Sequence, residues 1–217
     1  MVPVPFAGHT LVPLSEGALW WPARRTLLAA DLHLEKASHY ARRGQMLPPY
    51  DSVETLGRLH RLAARLAPDV LYLLGDSFHD CDGPERLSDH ACALIERLAA
   101  ALRLVWITGN HDPRGTPGEA LPYVALDGIT LRHEADPRDA APEISGHFHP
   151  KLSVGARGRL VSRRCFVIGP TKLILPAFGS LAGGLDARSA PILAAAGRPA
   201  AALIPAADRL HRFQLAA

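Results

Sequence analysis

Short apolar runs that stop abruptly at a polar residue dominate the first half of this chain. Residues 26–30, 70–74 and 104–108 are each apolar for about the length of one strand, and they read as buried strands. The first ends at Asp31 and His33, the second at Gly75-Asp76 and the third at Gly109-Asn110. Between the first two, residues 34–49 are polar and basic, with Arg42-Arg43-Gly44 and Pro48-Pro49, which predicts a loop or a short helix followed by a loop. Asp51 with Glu54 three residues later reads as a helix N-cap. Leu56, Leu59, Leu62, Ala63 and Leu66 then follow helical spacing until Pro68. A second helix is expected over residues 85–102, with Leu87, Ala91, Leu94, Ile95 and Leu98 on one face.

Strand and helix thus alternate as in parallel βαβ units. Beyond Asn110 the pattern changes. Short strand candidates at 129–132, 143–145, 152–154, 165–168, 172–175 and 201–204 are separated by Gly and Pro turns, and Gly169-Pro170 marks a hairpin. The first half therefore reads as α/β and the second as mostly β. The Ala-rich stretch 194–202 is expected to be loop or frayed structure.

Composition narrows the class. The 217 residues fit one domain spanning 1–217, and with 48% hydrophobic and 21% charged residues the chain can bury a core. No long uncharged apolar run suggests a membrane span, and Pro3 and Pro5 with no preceding basic residues argue against a signal peptide. Cys81, Cys92 and Cys165 lack the spacing of a disulfide framework or zinc knuckle, so a reduced, cytoplasmic protein is expected. Net charge is +3 and only Lys36, Lys151 and Lys172 are lysines. The arginine excess reads either as codon bias or as phosphate recognition by guanidinium groups.

The strand ends carry the chemistry. Open α/β sheets bind ligands in the crevice beyond the carboxyl ends of their strands. Asp31 and His33 are two apart, so on an extended strand end they point to one side, and His147 and His149 do the same across Phe148. Gly75 lets the backbone turn and aim the Asp76 carboxylate. Asn110 offers an uncharged carbonyl oxygen. Together with His133, these residues supply enough oxygen and nitrogen ligands for two metal ions that share one carboxylate, an arrangement that most often cleaves phosphate esters.

In this order, Asp31-Leu-His33, Gly75-Asp76, Gly109-Asn110-His111-Asp112, His133 and Gly146-His147-Phe148-His149 resemble the calcineurin-like metallophosphoesterase superfamily. Further stretches around Lys36, residues 44–49, Phe78 and Phe178 are similar to its ligase-associated DNA damage response branch of endonucleases and phosphodiesterases. The resemblance implies a four-layer α/β sandwich, two mixed β-sheets flanked by helices. It implies that Asp31, His33 and His149 bind one metal, that Asn110, His133 and His147 bind the other, and that Asp76 bridges them. A metal-bridging hydroxide would attack phosphorus in line. His111 would contact the phosphate or protonate the leaving group. Asp112 would orient His111, or else serves as a turn residue before Pro113. The implied metal is Mn²⁺, with Fe or Zn also suited to mixed N/O ligation. The implied substrate is DNA, in a repair setting with a ligase and a helicase. His133 departs from the common pattern, because it follows Arg132 rather than glycine and precedes Glu134.

Other polar residues stay open at this stage. Lys36, His39, Arg42, Arg43 and His79 are candidate substrate contacts, and each could equally belong to a solvated loop; Asp80, Arg163 and Arg164 share that ambiguity. His9, His60, His90 and His211 have no ligand spacing and read as surface or satisfied core residues. Trp20-Trp21 are expected to pack an edge strand. Ser77-Phe78-His79-Asp80 lacks the Arg-Gly pair that protein phosphatases of the superfamily place there. Competing functions are a hydrolase of cyclic nucleotides or nucleotide-linked diphosphates, and a silent scaffold of the same fold.

Overall fold

A computed structural model of the chain describes residues 1–112, 119–156 and 158–216. It opens with three short antiparallel strands, β1 (Val4–Phe6), β2 (His9–Pro13) and β3 (Leu19–Trp21), and β3 pairs antiparallel with β4 (Thr26–Ala29). Pairing then turns parallel through β5 (Val70–Leu74), β6 (Arg103–Ile107) and β7 (Glu119–Leu121), which completes a seven-stranded mixed sheet in sequential order. Helices α1 (Lys36–Ala41) and α2 (Asp51–Leu66) lie between β4 and β5, and α3 (Asp89–Ala101) lies between β5 and β6. These are the crossovers that parallel strands require.

The second half forms another sheet. Its strands are β8 (Tyr123–Leu126), β9 (Ile129–Arg132) and β10 (Glu143–Ser145), then, after the separate hairpin β11 (Lys151–Ala156) and β12 (Arg159–Arg164), β13 (Phe166–Ile168) and β14 (Lys172–Ile174). Helix α4 (Ala190–Ala196) precedes β15 (Ala200–Ala206) and β16 (Arg209–Ala216). The spatial order is β16-β15-β13-β14-β10-β9-β8, with parallel pairs only on the two sides of β10.

Strand periodicity sorts the apolar residues into layers. On β5, Leu71 and Leu73 face Leu56, Leu59, Leu94 and Leu98 of α2 and α3, while Tyr72 and Leu74 enter the core between the sheets with Ile144, Phe166 and Leu203. Both faces are covered, which is why β4, β5 and β6 read as continuous apolar runs. Val167, Ile174 and Ala202 pack the outer face of the second sheet against Ile192 and Ala196 of α4. The architecture is helices, sheet, sheet, then helix and hairpin: an α/β fold of two mixed sheets flanked by helices. No helix among the described residues is long and apolar enough to cross a membrane.

Several local expectations are corrected. Asp51 is the first residue of α2 rather than its cap; its buried carboxylate accepts the amide of Ala37 at 3.1 Å, so it joins α1 to α2. The second helix starts at Asp89, because Pro84–Arg86 forms a separate 3-10 turn and Ser88 supplies the cap, its Oγ accepting the amide of Ala91 at 3.2 Å. The tryptophans lie on an interior strand: Trp20 packs toward the helices and Trp21 between the sheets. The Ala-rich stretch is ordered, since small side chains let α4 and β15 pack closely in the outer core. Replacing Ser88 by Ala should remove the α3 cap and destabilise the protein by about 1 kcal/mol, read as a lowered urea midpoint at unchanged slope.

Candidate metal centre

The residues singled out at the strand ends converge in two clusters. Ligand atoms of Asp31, His33 and His149 lie within 4.8 Å of one another, and so do those of Asp76, His133 and His147. In the first, His33 Nε2 and His149 Nε2 are 3.1 Å apart, and His149 Nε2 is 3.3 Å from Asp31 Oδ1. In the second, His133 Nε2 is 3.1 Å from His147 Nδ1 and 3.5 Å from Asp76 Oδ1. The other oxygen of Asp76, Oδ2, lies 4.0 Å from His33 Nε2. Asp76 therefore stands between the clusters with one oxygen toward each. The amide of Asn110 meets His147 Nδ1 at 3.5 Å, beside the second cluster.

The backbone reaches this geometry in a way that residue spacing does not show. Asp31, His33, Asp76, His147 and His149 all have positive φ, between 45° and 72°, so neither His-containing pair is an extended strand end. Such backbone costs roughly 1–3 kcal/mol per residue and persists only where the surroundings enforce it. Here the parallel pairing of β4 with β5 continues past the strands as hydrogen bonds, from Asp31 N to Gly75 O (3.1 Å), His33 N to Asp76 O (2.9 Å) and Leu34 N to Ser77 O (2.9 Å). On the other side, the amide of His147 donates to both oxygens of Asp31 at 2.9 and 3.2 Å. The turn between the two histidines sends them to different clusters: His147 joins Asp76 and His149 joins Asp31.

The glycines clear the space. A Cβ on Gly75, whose φ is +78°, would sit 2.3 Å from the His133 ring, and one on Gly109 would sit 2.3 Å from the Asp76 carboxylate. His133 is thus packed directly over Gly75, and its Nδ1 lies 3.0 Å from Leu74 O. That bond places the proton on Nδ1 and leaves the Nε2 lone pair facing the second cluster.

The donor set suits divalent cations. Burial first, then the nearby His149, His79, Lys36 and His111, pushes the pKa of His33 down to about 2, so its imidazole is neutral. Imidazoles and carboxylates with no thiolate match manganese, iron or zinc. Asp31, His33 and His149 would hold one ion; Asp76, His133, His147 and Asn110 would surround the other.

His111 lies at the rim of the centre with half its side chain exposed, its Nε2 4.0 Å from Asp76 Oδ2 and its ring stacked on His79. Asp112 plays a different part from the expected one. Its partly buried carboxylate accepts the amides of Ser77 (2.7 Å), Phe78 (3.2 Å) and Gly109 (2.8 Å) rather than the His111 ring, so it fastens the Asn110 loop to the Asp76 loop. Burial is the main cause of its raised pKa. Pro113 lies outside the described residues.

The candidate substrate contacts divide. Lys36 starts α1 and is half-buried beside the centre, where its charge depresses both His33 and His79. His39 Nδ1 lies 2.5 Å from Asp80 Oδ2. Arg42 and Arg43 are exposed, and so is Arg163. Arg164 is committed elsewhere, donating to Gly179 O at 2.6 Å. His9 and His60 bond backbone carbonyls of Asp127 and Leu94. Sequence reasoning missed Glu134, whose Oε1 is 3.6 Å from His147 Nε2, on the side of the ring away from the cluster. Its place next to His133 was the available signal. It also missed Arg86, which holds Asp80 through two contacts of 2.9 and 2.6 Å.

With this geometry in view, the comparisons are consistent. The chain belongs to the calcineurin-like phosphoesterase family, whose pattern matches residues 24–159. Two clusters of ligands agree with the family's use of two metals. The chain is similar in structure to the nuclease MPE of Pseudomonas putida, with 31% identity and a TM-score of 0.72 over 93% of this chain and 95% of that one. It is more distantly similar to Yfce, a phosphoesterase from E. coli, with 18% identity and a TM-score of 0.40 over 82% and 86% of the two chains. None of the curated proteins matches the chain.

The buried imidazoles make stability depend on pH. His33 falls to about 2 and His79 to about 4, both from 6.5 and both chiefly through burial. The unfolded chain therefore binds protons below about pH 6.5 that the fold refuses, and stability present above that pH is lost on acidification. The metal-free protein should show a melting temperature that declines as pH drops from 6.5 to 4, with a shallower decline in His79→Asn. Parallel profiles for the two proteins would rule out the role given to His79.

Proposed function

We propose that the protein is a dinuclear metal-dependent phosphodiesterase that cuts nucleic acid, with DNA as substrate in a repair setting alongside a ligase and a helicase. The observation that carries the metal chemistry is Asp76, whose two oxygens face a histidine of each cluster at 4.0 and 3.5 Å. Two divalent ions held there would supply Lewis acidity and lower the pKa of water. The proposal for nucleic acid rests on the similarity to a nuclease across nearly the whole chain and on the loop resemblance around Lys36, Phe78 and Phe178.

The chain's own residues divide the remaining work. Asp31 and Asp76 set the positions of the clusters. His133 keeps its Nδ1 proton on Leu74 O and so presents Nε2. His111, half-exposed at the rim, contacts the phosphate or gives the Nε2 proton to the departing alkoxide. Asp112 keeps the Asn110 and Asp76 loops in register through three backbone amides. Lys36 brings a cation to the rim that favours an anionic substrate. The whole chain acts as one domain in this reading, since His133 and His147 come from the second half and Asp76 from the first. The complete carboxylate and imidazole set speaks against a silent scaffold. A cytoplasmic setting and Mn²⁺ as the working metal complete the proposal.

Chelation should abolish hydrolysis of an aryl phosphodiester, and Mn²⁺ should restore it; turnover that survives chelation would sink the metal reading. Asp76→Asn should lower kcat by at least about 100-fold, and Asp112→Ala by about 10- to 100-fold, in keeping with removal of groups that hold ligands in place. Single-stranded DNA and cyclic nucleotides at matched concentration decide the substrate. DNA cleavage that weakens steeply with salt supports the nuclease reading, and cleavage of cyclic nucleotides alone overturns it.

A further inference from the structure

A cleft of about 450 Å³, lined by His39, Arg42, Arg43, Asp80, Cys81 and Asp82, contains none of the candidate metal ligands. Its volume is within the range of pockets that hold small organic ligands. A series of rings joins it to the metal centre. His33 meets His79 at 5.5 Å, and His79 meets His39 at 4.7 Å and stacks on Tyr40 at 5.6 Å.

The charges in the cleft are unequally engaged. Asp80 is clamped by both Nη atoms of Arg86 and bonded to His39, and these partners hold its carboxyl well below the usual range even though burial opposes them. Its charge is balanced, and its task is to fix the His39 ring. Arg42 meets Asp82 only at 3.4 Å with both side chains largely exposed, an ion pair of little energetic weight. Arg43 has no ion pair among the described residues and is exposed. Two guanidinium groups lining the cleft are therefore open to an incoming anion, and the His39 ring, fixed by Asp80, lines it with them, with Tyr40 behind it at 5.4 Å between ring centres.

We propose that this cleft is a nucleotide subsite: it binds the nucleotide next to the scissile phosphate, taking a backbone phosphate on Arg42 and Arg43 and placing the base beside His39. Guanidinium contacts to phosphate with aromatic stacking are how proteins hold single strands without reading sequence. The subsite rests on the nucleic-acid reading above, and it adds that the substrate is a strand running from the metal centre over α1 rather than an isolated phosphodiester.

The test is direct binding. A fluorescently labelled single strand of ten nucleotides is titrated into the full-length, chelator-treated protein, with anisotropy as the readout and salt varied. Arg42→Gln/Arg43→Gln is compared with wild type and with Arg97→Gln/Arg212→Gln, which removes the same charge from exposed positions on α3 and β16. The cleft variant should bind about tenfold more weakly, with a shallower dependence of log affinity on log salt, because phosphate contacts are lost. The control pair should stay within about twofold of wild type. Equal affinity in wild type and cleft variant, an equal loss in the control pair, or no binding by wild type would each overturn the subsite. A strand bound through the cleft but left uncut when Mn²⁺ is added would refute the nuclease reading alone. A strand that is cut, yet bound equally by wild type and cleft variant, would refute the subsite alone.

Discussion

One buried carboxylate ties the two halves of this molecule together. Asp31 has no exposed surface. Its oxygens accept the amide of His147, its own amide donates to Gly75 O, and its carbonyl receives the amide of Gly179 at 3.1 Å. Segments following β4, β5, β10 and β14 thus meet at one residue. A carboxylate so deeply buried is costly unless it is hydrogen-bonded and balanced by positive charge. The amide of His147 provides part of that compensation and bound cations would provide the rest. An ion bound at Asp31 would therefore couple its binding free energy to folding, because the group that joins the sheets would also be one that receives the ion.

The same economy appears in the backbone. Five of the candidate ligands stand in left-handed conformations that no local preference favours; long-range pairing between the loops after β4 and β5 holds Asp31, His33 and Asp76, and the Asp31 carboxylate holds His147. Asp112 extends this lacing to the loop after β6. Stability supplied by the sheets is converted into ligand positions set before any ion arrives, which reduces the reorganisation that binding would otherwise require.

Legibility in the sequence followed the range of the forces involved. Strands β4, β5 and β6 and the face of α2 were readable because burial on both sides, or on one helical stripe, writes itself as local periodicity. The ligand types were readable because each follows one of those strands or a short β segment. Strands β1 to β3 were not, being three to five residues long, with Pro in β1 and β2 and Gly only in the turns between them. The separation of His147 from His149 was implied by the family resemblance, but the turn that produces it was hidden from residue spacing. Two residues apart implies a shared direction only on an extended chain, and the left-handed turn depends on Asp31, more than a hundred residues away. Asp112 likewise looked like a partner for its neighbour His111, whereas two of its three amide partners, Ser77 and Phe78, are on a loop that only folding brings near.

Each cluster draws on both sheets. Asp31, His33 and Asp76 follow strands of the first, and His133, His147 and His149 follow strands of the second. What sets the spacing inside each cluster is thus the apolar layer in which Trp21, Leu74 and Ile107 meet Ile144, Phe166 and Leu203. That layer works as a spacer gauge for the metal centre. Interiors are close-packed and transmit changes of even one methylene. A volume change there would alter the distances between the residues that each cluster takes from the two sheets, which makes an ordinary hydrophobic core a tuning element of the site above it.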